Sequence, residues 1–185
     1  MNIHYLSWSE QYIKTLSEES YVRRLDTANR TKYFEEFKKG ATTRQIAQWW
    51  HQNRQYYDVF VETDQHEPFA FLEINDNFMG VNFLDEAHRL YLNYTFTEVR
   101  PGQLFMSEAF FFDFKTEEAP EEWRRLHFLF SQTGEVRVQE YLEEEEKIKI
   151  YQSNTSFEVN GLYETYPAFG QYDPLLQPER NLPLP

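Results

Sequence analysis

The sequence predicts an α+β fold in which N-terminal helices pack on a strongly curved antiparallel meander sheet or half-barrel of about seven or eight strands. Two observations carry this prediction. Apolar residues recur at intervals of three and four in residues 1–58, and from residue 59 they alternate with polar residues in short segments separated by turns. With 185 residues, 41% of them hydrophobic, the chain is expected to form a single domain, 1–185.

The helical part is expected in residues 1–58. Its first helix is predicted from apolar and aromatic residues spaced mostly by threes and fours: Tyr12, Ile13, Leu16, Tyr21, Val22 and Leu25. Thr31 can cap a short second helix, which Gly40 is placed to end. Thr42 followed by Gln45 is a capping-box pattern and predicts the start of a third helix.

The antiparallel sheet is expected in residues 59–157. The extended segments predicted from alternation and turn signals are 59–62, 69–75, 78–84, 89–99, 103–114, 123–131, 135–142 and 147–151. The stretch Arg100-Pro101-Gly102-Gln103 is a strong turn signal, because Pro101 presets its own φ and Gly102 accepts a positive φ. Since turns join the segments where helices would join parallel strands, the strands are expected to pair antiparallel.

Residues 158–180 show no regular pattern. Their aromatic residues stand among proline and glycine: Tyr163, Tyr166, Phe169 and Tyr172. Aromatic residues this frequent rarely belong to a free chain end, so the segment is expected to pack across the domain. Residues 181–185 are expected to form a tail.

Composition excludes several classes of protein. Without cysteine the chain cannot hold a disulfide framework, a zinc ribbon, an iron–sulfur cluster or a thiol nucleophile. No stretch approaches the roughly 18 apolar residues of a membrane helix. The first residues lack the basic region and apolar core of a signal peptide. We therefore expect a cytoplasmic protein that does not enter a membrane.

The charge of the chain is strongly acidic and unevenly distributed. There are 31 acidic and 18 basic residues, a net charge of −13. Residues 1–58 hold nine basic and seven acidic residues, whereas residues 59–185 hold nine and 24. Such a surface repels nucleic-acid phosphates and attracts a basic protein surface. Solubility alone is the other explanation of a charge of this size.

The sequence contains no recognisable catalytic motif. Nucleophile-elbow and phosphate-cradling patterns are absent, and the five histidines are scattered. Asp64-Gln65-His66-Glu67 is the best metal candidate, but adjacent side chains in a turn diverge, so we interpret it as a polar hairpin turn. His127, Glu108 and Asp113 are candidate acid–base residues, but a solvated strand position for His127, and edge exposure or pairing with an arginine for the two acids, explains them more simply. We expect no cofactor and no enzymatic activity.

Acidic side chains are concentrated in two segments. Glu143–Glu146 is an uninterrupted run, and 117–122 is rich in glutamate. The run is explained either by a solvated loop that prevents edge-to-edge aggregation or by a docking surface for Lys and Arg of another protein. One of Trp49 and Trp50 is expected in the core and the other at the surface, where tryptophan is enriched in binding hot spots. The predicted partner-binding residues are Glu143, Glu144, Glu145, Glu146, Glu121, Glu122 and Trp50.

The chain is a small acidic α+β domain that ends in an aromatic segment around Tyr166-Pro167-Ala168-Phe169-Gly170. In general character it resembles the immunity proteins paired with bacterial polymorphic or contact-dependent toxins. This resemblance implies a stoichiometric inhibitor that buries the active site of a basic partner. The alternative is a small-molecule-binding protein or hydrolase with an aromatic-lined concave sheet face. The aromatic residues considered for that face include Tyr91, Tyr94, Phe96, Phe110 and Phe112. A homo-oligomeric structural protein is a third possibility.

Overall fold

The structure, a computed structural model, describes residues 1–11, 13–116, 121–143, 147–153 and 155–180. It confirms the predicted α+β class. The helices are α1 Glu18–Asn29, α2 Tyr33–Lys38 and α3 Thr43–Gln52. The strands are β1 Asn2–His4, β2 Trp8–Ser9, β3 Lys14–Thr15, β4 Tyr57–Glu62, β5 Pro68–Ile74, β6 Phe78–Leu84, β7 Leu90–Arg100, β8 Gln103–Phe114, β9 Glu122–Phe130, β10 Val136–Leu142, β11 Lys147–Gln152 and β12 Tyr163–Thr165. Strands β4 to β11 correspond to the predicted strands, and the other four were not predicted.

The helices begin where local side chains satisfy their free N–H groups. Ser17 caps α1 by accepting the backbone N–H of Ser20, and α1 ends at Arg30 in the left-handed conformation. The predicted capping box of Thr42 and Gln45 is confirmed at the start of α3. Thr31 does not cap α2, whose N-cap residue is Lys32.

The prediction of helix before residue 17 is wrong. Strands β2 and β3 form a short hairpin there, with Trp8 opposite Thr15. Ile13 adopts a left-handed φ of 49°, which an α-helix cannot contain. The N–H of Leu16 donates to the carbonyl of Ser7 at 2.9 Å and closes the hairpin. Apolar spacing alone does not distinguish such a hairpin from a helical turn.

The chain divides into two compact units, Met1–Gly80 and Val81–Pro185, and the boundary falls within β6. In the first unit β4 pairs antiparallel with both β1 and β5. The apolar faces of α1 and α3 and the consecutive buried residues of β4 and β5 supply its core. Fully or almost fully buried side chains of these elements include Tyr21, Val22, Leu25, Ile46, Trp50, Tyr57, Val59, Leu72 and Ile74.

A buried carboxylate connects three parts of the first unit. Asp58, on β4, is 3% exposed and accepts hydrogen bonds from Ser7 and from Arg24 of α1, the latter at 2.7 Å. The Tyr21 hydroxyl donates to the backbone carbonyl of Asp58 at 3.1 Å. Burial raises the pKa of the Asp58 carboxyl, although Ser7 and Arg24 oppose the shift. Desolvation exceeds the attraction of Arg24 because the Arg24 side chain is half exposed.

In the second unit the strands follow one another as an antiparallel meander, in the order β7-β8-β9-β10-β11. The turn at residues 100–103 lies where it was predicted, and Gly102 has a φ of +78°. Strand β12 was missed. It pairs with Gln103–Phe105 at the first residues of β8, on a three-residue stretch too short to show an alternation.

The segment after β12 is held against β7, as the aromatic residues predicted. Tyr172, Leu175 and Leu176 are buried. The Tyr94 hydroxyl donates to the carbonyl of Pro178 at 2.7 Å, and burial raises the pKa of Tyr94 to about 12. Arg180 pairs with Glu164 of β12 at 2.8 Å, and its guanidinium lies 5.7 Å from the centre of the Tyr94 ring. The predicted tail, 181–185, lies outside the described residues.

We predict that replacing Asp58 with Asn becomes less destabilising as the pH rises. Below about pH 4 the side chain at position 58 is neutral in the wild-type chain and in the variant, so the variant loses mainly a hydrogen-bond acceptor. As the pH rises through the raised pKa of Asp58, the free energy of unfolding of the wild-type chain falls. The Asp58→Asn variant lacks this titration and does not show the fall. Urea unfolding across the pH range measures the difference in free energy of unfolding. A difference that stays constant or grows with pH contradicts the raised pKa.

Candidate protein-binding site

The described ends of the two acidic segments lie together at one end of the second unit. Strand β8 ends and β9 begins at one of them, and β10 ends at the other. The register places Arg124 of β9 between Asp113 of β8 and Leu142 of β10. Lys115, two residues before the first segment, and Glu143, in the second, approach to 3.4 Å between Nζ and Oε2. Antiparallel pairing therefore produces one acidic end from two segments that are distant in sequence.

The described carboxylates of the two acidic segments are Glu121, Glu122 and Glu143, which we call the acidic rim. Glu121 and Glu143 are exposed. Glu122 is half buried, and its Oε1 lies 3.4 Å from Nε of Arg125. The predicted contact residues Glu144, Glu145 and Glu146 lie outside the described residues, as do Glu117 and Glu118.

Basic residues near the acidic rim are engaged by carboxylates of the chain itself. Arg124 donates to Glu140 at 2.7 Å and lies 3.4 Å from Asp113. Its hydrogen bond is the main reason that the pKa of Glu140 is lowered, and the Tyr151 hydroxyl contributes. Residues 113–125 and 140–149 together contain ten acidic and five basic residues, a net charge of −5. The negative potential of this end is therefore only partly neutralised from within.

Trp123 is the exposed tryptophan beside the acidic rim. It follows Glu122 at the start of β9 and keeps 39% of its surface accessible. Two residues further along β9, the guanidinium of Arg125 lies 4.9 Å from the centre of the Tyr141 ring. An indole, a guanidinium and a phenol thus occupy neighbouring positions next to exposed carboxylates. These are the side chains most enriched in protein interfaces.

Trp50, which we predicted as a contact residue, is a core residue. It has no accessible surface, packs edge-on against Tyr21, and donates its indole N–H to the Thr31 hydroxyl at 3.2 Å. Its partner in the pair, Trp49, is the partly exposed one. Sequence reasoning missed Trp123, although its position directly after two glutamates at a strand start was visible in the sequence.

His127 and Glu108, identified separately in the sequence, form a pair across β8 and β9. Nε2 of His127 lies 2.8 Å from Oε2 of Glu108, and the Phe110 ring stacks on the imidazole with centres 3.9 Å apart. The carboxylate and the ring hold the imidazole in one orientation. The third acid–base candidate, Asp113, faces Arg124 as an ion pair. An ion pair was one of the two explanations that the sequence left open.

The aromatic residues considered for a ligand cavity lie on both faces of the sheet. Tyr94 and Phe96 are almost fully buried, and Tyr94 contacts Phe83 edge-on. Phe110 and Phe112 stand opposite Asn93 and Arg125 on the other face and are partly exposed. These side chains do not line one cavity. A pocket of about 440 Å³ lies elsewhere in the second unit, lined by residues 165–175.

The metal candidate forms a turn, in agreement with its interpretation. The N–H of Thr63 donates to the carbonyl of Glu67 at 2.9 Å, and His66 has a φ of 64°. Asp64 binds the N-terminal amino group at 2.8 Å, whereas His66 lies 3.3 Å from Glu62. Within the described residues no three His, Asp or Glu side chains are grouped so as to hold a metal ion.

No protein-family model, curated protein or solved structure matches this chain. None of the helices in the described ranges has the length and apolar character required to cross a bilayer.

We predict that two tryptophan substitutions change the free energy of unfolding by very different amounts. Trp50→Ala removes a fully buried indole and should lower the free energy of unfolding by about 3–5 kcal/mol. Trp123→Ala, at an exposed position, should change it by less than about 0.5 kcal/mol. Urea unfolding of both variants measures the two values. Equal destabilisation would contradict the assignment of Trp123 to the surface.

Proposed function

We propose that this chain is an acidic protein-binding module that acts as a stoichiometric, immunity-type inhibitor of a basic partner protein such as a toxin. The observation that supports it best is the convergence of two acidic segments around the exposed Trp123. The partner-binding surface consists of the acidic rim, Trp123, Arg125 and Tyr141.

In this proposal, charge makes the chain select a basic partner. Residues 81–185 hold 19 acidic and nine basic residues, a net charge of −10, and half of that excess lies at the acidic end. A negative surface accelerates encounter with a positive one and disfavours other acidic proteins. The same charge repels nucleic acid, so a nucleic-acid-binding surface on the partner is a suitable target. The inhibitor then competes with the nucleic acid for one basic surface.

Apolar contact supplies the affinity. Rim charges at an interface contribute chiefly to the rate of association, whereas a buried aromatic side chain lowers the rate of dissociation. Trp123 stands between Glu122 and Arg124, both of which pair with β8, so its backbone is held on either side before binding. A preordered side chain loses little conformational entropy when it enters a pocket of the partner.

Inhibition by this mode requires no chemistry from the chain. The partner is inactive because its active site is covered, and activity returns when the complex dissociates. A cofactor is not needed, and one copy of the inhibitor silences one copy of the enzyme. In this proposal the protein works in the cytoplasm, where it protects its own cell.

The first test is to capture the tagged chain from a lysate of its source cells at low and at high salt, and to identify bound proteins by mass spectrometry. We expect one basic protein in a one-to-one complex at low salt, released at high salt because salt screens the charges. That protein, once purified, should have an enzymatic activity that the chain abolishes. A chain that captures no protein at low salt contradicts the proposal.

The second test assigns binding to the acidic rim. Glu121→Lys with Glu143→Lys should slow association with the captured partner at least about tenfold at low salt, and the loss should diminish as salt is added. The matched control is Glu135→Lys with Glu158→Lys, which changes the net charge equally at exposed positions outside the rim. Surface plasmon resonance measures both rates. Equal losses for the two double variants would show that net charge, and not the rim, attracts the partner.

A further inference from the structure

The last strand of the meander, β11, presents an open edge. Among the strands that the structure describes, it pairs with β10 alone. Its side chains Ile148, Ile150 and Tyr151 keep 55%, 56% and 46% of their surface accessible. An edge strand offers a row of unpaired backbone groups to another strand, and exposed isoleucines add apolar area to such a contact.

The register shows which backbone groups point outward. The N–H of Ser153 donates to the carbonyl of Val136 at 2.9 Å, so this pair is hydrogen-bonded. Hydrogen-bonded and non-hydrogen-bonded pairs alternate along an antiparallel ladder. Tyr151 and Lys149, at intervals of two from Ser153, therefore also bond to β10. The N–H and carbonyl groups of Ile148, Ile150 and Gln152 point away from β10.

We propose that a second copy of this chain pairs antiparallel with this edge, with Ile150 on the two-fold axis. In this register Ile150 stands opposite Ile150 of the second copy, and Ile148 stands opposite Gln152. The outward groups of Ile148, Ile150 and Gln152 bond to one another across the axis. The contact is isologous and closes after two copies.

Charge favours a second copy over the basic partner at this edge. The sequence of β11 contains two lysines and no acidic residue, on a chain of net charge −13. A basic protein is repelled there by the lysines, whereas in the proposed register no lysine of a second copy stands directly opposite another. The proposed register sets Lys149 opposite Tyr151, which avoids a lysine pair on the axis.

Sedimentation equilibrium of the purified chain, without any partner, tests the proposal. We expect a monomer of 22.5 kDa at low concentration and a species of twice that mass at high concentration. Salt should strengthen the dimer, because it screens the repulsion between two chains of net charge −13. Binding to the basic partner has the opposite salt dependence, so failure of one proposal is distinguishable from failure of the other.

Two variants assign the dimer to this edge. Gln152→Pro removes an outward N–H and leaves the bonds to β10 intact. It removes one hydrogen bond on each side of the axis and should weaken the dimer about tenfold. Gln152→Ala keeps the N–H and is the control, which should leave the dimer unchanged. Ile150→Lys keeps the backbone and places like charges on the axis, so it should also yield monomer. Circular dichroism checks that each variant is folded. A chain that stays monomeric at every concentration and salt, or a dimer indifferent to both variants, overturns the proposal.

Discussion

Antiparallel pairing of β8 with β9, and of β9 with β10, sets Asp113, Arg124 and Leu142 side by side, and the candidate site depends on this register. It determines which loops meet, because the acidic segments are the continuations of these strands. It also determines which side chains share a face, since neighbours along a strand alternate. A slip of one residue in β9 would move Arg125 and His127 to the opposite face and bring Leu126 and Phe128 to the face that they occupy.

Much of the second unit could be predicted because strand alternation is a local property. The sequence placed Glu108, Phe110 and Phe112 on one face, and the structure shows His127 hydrogen-bonded to Glu108 and stacked on Phe110. The turn at residues 100–103 was predictable for the same reason, since proline and glycine restrict or extend the backbone wherever they occur. The capping box that begins α3 is equally local.

The remaining features depend on contacts between distant residues. Trp50 and Trp123 each have a polar neighbour in sequence, and only the packing of Trp50 against Tyr21 separates core from surface. Residues 13–16 match a helical spacing, but the bond from Leu16 to Ser7 selects a hairpin. The approach of Lys115 to Glu143 follows from strand register, which a single sequence does not reveal.

Hydrogen exchange of the chain, free and bound to the captured basic partner, tests the central claim most directly. Our account predicts slower exchange on binding in residues 121–125 and 141–143, with the helices of the first unit unchanged. Amides exchange more slowly where a partner excludes water or blocks local opening. Protection confined to α1, α2 and α3, with residues 121–125 unaffected, would contradict the acidic rim as the partner-binding surface.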